Sequence, residues 1–168
     1  MTILKIVYHP HPVLSQTAEI VTQFDDDLKQ LVKDMIETMY DAQGVGLAAP
    51  QVAISKRIAV IDVSEKRDNP FCIINPEIIQ QDGKELMEAG CLSVPYTYDK
   101  VPRATFVKVR AQNENGEFFE IEGKELLAHA LQHEIDHLHG TLYIDHLSPL
   151  KRSIQLKKMR KSLKHKKT

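Results

Sequence analysis

His133-Glu134-Ile135-Asp136-His137 puts two imidazoles and a carboxylate at a spacing that can hold a metal ion and use it. On a helix with about 1.5 Å rise per residue, positions i and i+4 share a face about 6 Å apart, so both rings reach one tetrahedral ion. Glu134 flanks that ion and is free to take a proton from a water the ion activates. The flanking sequence supplies the helix. Glu125, Leu126, Leu127, Ala130, Leu131 and Leu138 form a helix-favouring run with an apolar face, opened near Gly123 and closed by Gly140. With eight histidines in 168 residues chance pairs occur, but the helical context sets the metal reading above solvated or hydrogen-bonded histidines.

His129 extends the pattern to i, i+4 and i+8. The outer two rings are about 12 Å apart along the axis, too far for bonds of about 2.0–2.1 Å, so the pair is 129/133 or 133/137. The H-E-x-x-H precedent favours 133/137 and leaves His129 one turn upstream as a pocket residue. A third ligand is not supplied by the usual downstream Glu, because no Glu follows His137, and the metzincin spacing ends on Tyr143. His139, Asp145 and His146 remain open. So does Cys91 in Gly90-Cys91-Leu92-Ser93, a soft sulfur that suits Fe(II) or Zn(II). Cys72 lies in the apolar run Phe71-Cys72-Ile73-Ile74 and reads as an inert buried thiol. With two cysteines and no signal peptide, a reducing cytoplasmic setting is simpler than a Cys72-Cys91 disulfide.

Three blocks together resemble the peptide deformylases. They are Gly44-Val45-Gly46-Leu47-Ala48-Ala49-Pro50-Gln51, Gly90-Cys91-Leu92-Ser93 and His133 to His137, in the family's order, with Val101-Pro102-Arg103-Ala104 also similar. The resemblance runs from about residue 5 to residue 149. It implies a metal held by Cys91, His133 and His137, Glu134 as general acid/base, and Gln51 and the Leu92 backbone N–H as donors to the oxyanion. It further implies a pocket for the substrate's first side chain at Val45, Gly46, Met87, Leu126, His129 and Ala130. The implied reaction removes the formyl group from the N-terminal formyl-methionine of newly made polypeptides and releases formate. The implied cofactor is one divalent metal, Fe2+, with Zn2+, Ni2+ or Co2+ compatible with the same donors. One position departs from the family pattern. Ala89 stands where the family usually carries Glu, which leaves Arg103 to find another partner.

The elements that must position these residues are legible in outline. Asp25 to Tyr40 reads as an amphipathic helix with Leu28, Leu31, Val32, Met35, Ile36 and Met39 on one stripe. Strand-like runs span 57–63, 71–80, 106–112 and 118–121, with turns at Asn69-Pro70, Asp82-Gly83 and the hairpin signal Asn115-Gly116. The expected fold is α+β, a single domain of mostly antiparallel sheets packed around a central metal-binding helix, with a C-terminal helix. No run of about 18 apolar residues occurs, which argues against a membrane span. Tyr96 and Tyr98, after the Cys block, read as half-buried packing residues ahead of rim aromatics.

The net charge of −1 conceals an asymmetry. Residues 151–168 carry nine Lys and Arg and no acid, whereas residues 1–150, the expected catalytic domain, carry 13 basic and 23 acidic side chains. Ile154, Met159 and Leu163 give the tail a sparse apolar stripe, consistent with a basic helix. Its charge suits an RNA or ribosomal surface, and nothing in the sequence points to specific DNA. On this reading, deletion of 151–168 weakens ribosome binding and spares turnover of small peptides. The competing readings are a metallopeptidase, which lacks its downstream ligand, and a ribosome-binding module with a structural metal.

Overall fold

Alternation with period two builds the centre of the fold. In the strand Ile58–Ile61 (β2) every residue is buried, and successive side chains serve opposite layers. Ala59 and Ile61 face one apolar cluster, and Ile58 and Val60 face another. The protein, described by a computed structural model over residues 2–166, places a helix against each of those clusters.

The first helix is Asp26–Asp41 (α1), capped by the Asp25 carboxylate, which accepts from the Leu28 N–H at 3.0 Å. Its Leu28, Val32, Met35 and Met39 pack on Leu47, Ile58, Val60 and Ile74. The strands Gly46–Ala48 (β1), Phe71–Asp82 (β3), Phe106–Gln112 (β6) and Phe118–Lys124 (β7) complete a five-stranded antiparallel sheet in the order β1-β2-β3-β6-β7. The Asn115-Gly116 signal falls in the β6–β7 hairpin, where the Gly116 N–H donates to Asn113. β7 runs directly into Glu125–Leu138 (α2), whose Ala128, Leu131, Ile135 and Leu138 cover the other face of the sheet. The α+β expectation is met.

Glu85–Cys91 (β4) and Val94–Arg103 (β5) form a separate antiparallel pair, with Cys91 opposite Val94 at the turn. Neither was expected as a strand, nor was the three-residue β1. The expected strand at 57–63 shortens to β2, and those at 71–80 and 118–121 lengthen to β3 and β7. The C-terminal helix Pro149–Lys166 (α3) packs on this pair. Leu156 and Met159 are buried with Ala89, Val94, Val101 and Tyr143, with Cys91 and Leu163 against the same cluster. The buried Gln155 donates through Nε2 to the Tyr98 carbonyl at 3.1 Å.

One expectation for the tail is corrected here. Its inward stripe is the buried Leu156 and Met159 and the partly buried Leu163, at i, i+3 and i+7, whereas Ile154 lies out of that register and is exposed. The tail also supplies Leu156 and Met159 to the cluster that Cys91 packs against. Lys167 and Thr168, part of the same stretch, lie outside the described residues.

Gly140 closes α2 with φ of +79°, and a β-carbon there would come within 2.7 Å of the Ser15 backbone carbon and oxygen. The segment carrying Ser15 is held to the same helix end by the Ala18 N–H, which donates to Leu138 O at 2.9 Å. Gly140→Ala therefore combines left-handed strain with a backbone clash. Urea unfolding should show a loss of about 1–3 kcal/mol; an unchanged midpoint would mean the helix end relaxes freely.

Candidate metal centre

α2 is the rod on which the centre is built. His133 and His137 project from one face, with ring centroids 4.8 Å apart and Nε2 atoms 3.2 Å apart. β4 brings in the third group, and Cys91 Sγ lies 3.3 Å from His137 Nε2. Among the described residues, Cys91, His133 and His137 form a group whose donor atoms all lie within 4.8 Å of one another. Bonds of about 2.3 Å to sulfur and about 2.0–2.1 Å to nitrogen, at tetrahedral angles, put such atoms about 3.3–3.6 Å apart. The donor set therefore fits one metal ion. His129 does not join it; its ring stacks on His133 at a centroid distance of 6.0 Å. His139, Asp145 and His146 also stand outside the group.

Burial determines the protonation states. It pushes the His137 pKa down to about 4 and that of His133 well below the usual imidazole range, so both rings are neutral and present a lone pair. It also pushes the Cys91 thiol up to about 12. A thiolate forms there when a cation lies beside the sulfur to offset the lost hydration. Glu134, 3% exposed, is raised to about 8 by the same burial, against the opposing charge of Arg103. Its Oε1 is buried and has no hydrogen-bond partner, although it is among the most polar groups in the interior.

β1 and the short turn Ala49–Val52 form the opposing wall. A β-carbon on Gly46 would lie 2.4 Å from Glu134 Oε2, so only glycine lets the strand pass this close to the carboxylate. Gln51 is 1% exposed and its amide is held at both ends. Oε1 accepts from the Ala48 N–H at 2.9 Å, and Nε2 donates to Ser93 Oγ at 3.2 Å and points towards Cys91 Sγ at 3.7 Å. This fixes which end of the amide faces the metal donors.

A cleft of about 630 Å³ opens onto these groups. Val45, Gly46, Gln51, Leu92, Leu126, His129, Ala130, His133 and Glu134 line it. Met87 lines an adjoining hollow of about 600 Å³ that shares Glu88, Leu126 and His129 with the cleft. His129 stands at the junction, its Nδ1 buried and unpartnered and its pKa pushed down to about 4 by burial and by Arg103. Tyr96 and Tyr98 also border the cleft, and Tyr98 is 67% exposed. They are rim aromatics, contrary to the packing expectation, because β5 turns them outward. Tyr8 joins them with no signal in the sequence.

Arg103 and Ser93 are supporting residues that the sequence reading left without roles. The Arg103 guanidinium is buried and donates from Nη1 to Asp136 Oδ2 at 2.7 Å, which ties β5 to the turn of α2 between the two imidazoles. Asp136 is thus the partner Arg103 finds. Ala89 is buried in apolar surroundings, and the guanidinium's Nε and Nη2 have no hydrogen-bond partner. Cys72 is the buried free thiol expected, donating to Glu114 Oε2 at 3.1 Å and pushed up to about 12 chiefly by burial.

Comparison with known proteins agrees with this architecture. The polypeptide deformylase family profile matches residues 3–153. A peptide deformylase from Acidobacterium capsulatum is 55% identical over 163 residues, 96% of each chain, and one from Pseudoalteromonas translucida is 52% identical over 164 residues, 98% of each. The crystal structure of a peptide deformylase from Legionella pneumophila superposes with a TM-score of 0.96 at 48% identity, covering 98% of both chains. That of the Ehrlichia chaffeensis enzyme in complex with actinonin gives 0.92 at 41% identity, covering 96% of this chain and 98% of that one. No helix among the described residues is long and apolar enough to cross a membrane. On a match of this extent, the chain belongs to the polypeptide deformylase family, the metal-dependent hydrolases that remove the formyl group from newly made polypeptides.

Proposed function

We propose that the chain performs the family's reaction with Cys91, His133 and His137 as metal ligands, Glu134 as the proton carrier, and Gln51 and Leu92 as oxyanion donors. The supporting observation is the placement of one side chain: Glu134, whose buried Oε1 has no hydrogen-bond partner, borders the same cleft as Cys91 and His133, with His137 one turn further along the helix. Cys91, His133 and His137 would hold a divalent ion, which when bound would supply Lewis-acid chemistry.

The protein residues do the rest. Glu134 takes a proton from the attacking water as the new C–O bond forms at the formyl carbon. Negative charge then develops on the formyl oxygen. The Gln51 Nε2 amide and the Leu92 backbone N–H donate to it, and the bond to Ala48 keeps the carboxamide from turning its oxygen towards that charge. When the C–N bond breaks, Glu134 returns the proton to the departing amine, leaving formate and a free N-terminus. A carboxyl whose burial favours the neutral form, beside a cation that favours the ionised one, can both accept and return a proton near neutral pH. Val45, Gly46, Leu126, His129 and Ala130, with Met87 in the adjoining hollow, take the formyl-methionine side chain, a fit supported by their mostly apolar character.

The native metal in this reading is Fe2+, which the sulfur and imidazole donors suit; Zn2+, Ni2+ and Co2+ share that compatibility. The enzyme acts in the cytoplasm on N-formylmethionyl nascent chains. Residues 1–150 carry all the proposed catalytic and ligand groups, Leu156 and Met159 of the tail complete the cluster behind Cys91, and the basic side chains of 151–168 meet the ribosome. Lys157, Lys158, Lys161 and Lys164 are exposed on α3 and available for such a contact.

Formate release from a formyl-Met tripeptide by anaerobically prepared protein, chelator-stripped and reloaded with Fe2+ or Ni2+, tests the central reading. Release should follow the metal. Cys91→Ala should lose stoichiometric metal, while Glu134→Gln should keep it and lose roughly 10²–10⁴-fold in kcat; full activity in either variant removes that residue from its role. Gly46→Ala should retain metal but turn over slowly, because the new methyl displaces the Glu134 carboxylate; wild-type kcat/KM would show that the close approach is dispensable. Replacing Lys157, Lys158, Lys161 and Lys164 with Glu should weaken ribosome binding most at low salt and leave tripeptide turnover intact. Unaltered affinity in a sedimentation assay would count against the ribosomal role.

A further inference from the structure

Behind the cleft, on the far side of β1 from Glu134, lies a second polar network with no part in the chemistry above. Its anchor is Asp62, at 0% exposure. Burial alone would raise this carboxyl, but hydrogen bonds from Ser64, Tyr40 and Asn69 outweigh it and hold the pKa down to about 2. Oδ1 accepts from the Ser64 N–H at 2.9 Å and its hydroxyl at 2.5 Å. Oδ2 accepts from the Tyr40 hydroxyl at 2.5 Å and the Asn69 N–H at 3.2 Å. These four bonds bind both ends of the loop 62–69 to one carboxylate.

The loop presents Arg67, whose φ of +56° is a left-handed conformation uncommon for a side chain of this size. Its guanidinium lies 5.1 Å from the centre of the Tyr40 ring and donates from Nη1 to the Asp62 carbonyl at 3.1 Å. Nη2 donates to the carbonyl oxygen of Gly44. Gly44 begins the segment that forms the cleft wall: Gly44, Val45 and Gly46 all line the cleft, and Leu92 Cδ1 would lie 2.9 Å from a β-carbon on Gly44. The next carbonyl is held as well, since Val45 O accepts from the Asp62 N–H at 2.9 Å. Arg67 itself does not line the cleft.

We infer that Arg67 is a positioning residue for substrate binding, acting through the Gly44 carbonyl to fix the peptide plane from which the cleft wall Val45-Gly46 begins. The peptide unit is planar, so holding its oxygen fixes the direction of the following N–H and the start of the Val45 backbone. A cationic donor suits this task because its bond to a carbonyl is stronger than a neutral one. The inference rests on the deformylase reading for its substrate, and the loop's contribution is expected in KM, since Arg67 touches neither the metal donors nor Glu134.

The test uses the metal-loaded full chain and the formyl-Met tripeptide, with hydrogen exchange of residues 44–46 as a readout independent of turnover. Arg67→Ala should raise KM roughly tenfold, about the loss of one charge-assisted hydrogen bond, with kcat and metal content held and with faster exchange at 44–46. Arg67→Lys, which keeps a cationic donor, should recover much of both effects, and Lys66→Ala on the exposed side of the same loop should alter neither. Unchanged exchange at 44–46 in Arg67→Ala overturns the clamp whether or not the enzyme turns over. Faster exchange with unchanged KM, or loss of kcat and metal together with KM, overturns its role in substrate binding. Absence of formate release from the wild-type protein would instead refute the deformylase reading.

Discussion

Two neutral imidazoles and a half-buried thiol that converge at the floor of a cleft make a site for a cation, and much of the structure exists to keep them there. Burial that makes the histidines neutral ligands also opposes ionisation of Cys91. The fold must therefore hold the three donors in place by packing elsewhere. It does so with apolar material on three sides: α2 on the five-stranded sheet, α1 behind that sheet, and α3 against the β4–β5 pair. The geometry of the donor set is fixed by elements that pack on one another through these apolar contacts.

Polar supports then set the details. Arg103 ties β5 to α2 at Asp136, between the two imidazoles, and Gln51 is held at both ends of its amide. Each is buried, so each lost partner would leave a desolvated polar group, a cost of about 1–3 kcal/mol that discourages alternative arrangements. The close passage of Gly46 past Glu134 belongs to the same design. A carboxylate pressed against bare backbone has few other positions to adopt, and the absence of one methyl group decides that position.

The sequence was most legible where the pattern is local and repeated. The H-E-x-x-H helix, the α1 stripe and the β6–β7 hairpin each occupy one face of a regular element, so spacing alone shows which side chains meet. β4 and β5 were not readable in that way. Their pair is half exposed, β5 carries Pro95 and Pro102, and the alternation is blurred where the chain turns at Cys91. β1 is only three residues long and follows glycines, so it reads as a turn until its pairing with β2 is known. In α3 the error was one of register: Ile154 is apolar but points outward, whereas Leu156 shares the face of Met159 and Leu163. The third metal donor illustrates the same limit. Cys91 lies 46 residues from His137 in the chain, and no helical or strand period connects them. The resemblance to the family carried that assignment, and the tertiary structure accounts for it.

Cys91 packs against the same cluster as Leu156 and Met159, which gives the two ends of the molecule a shared thermodynamic account. Ion capture at the hairpin and seating of the last helix draw on one set of apolar contacts. Linkage requires that influence between two such events be mutual: whatever seating the helix contributes to affinity for the ion, ion occupancy returns to the helix by the same factor. The carboxyl-terminal arm therefore shares the apolar cluster behind the metal centre, although it contributes no atom to it.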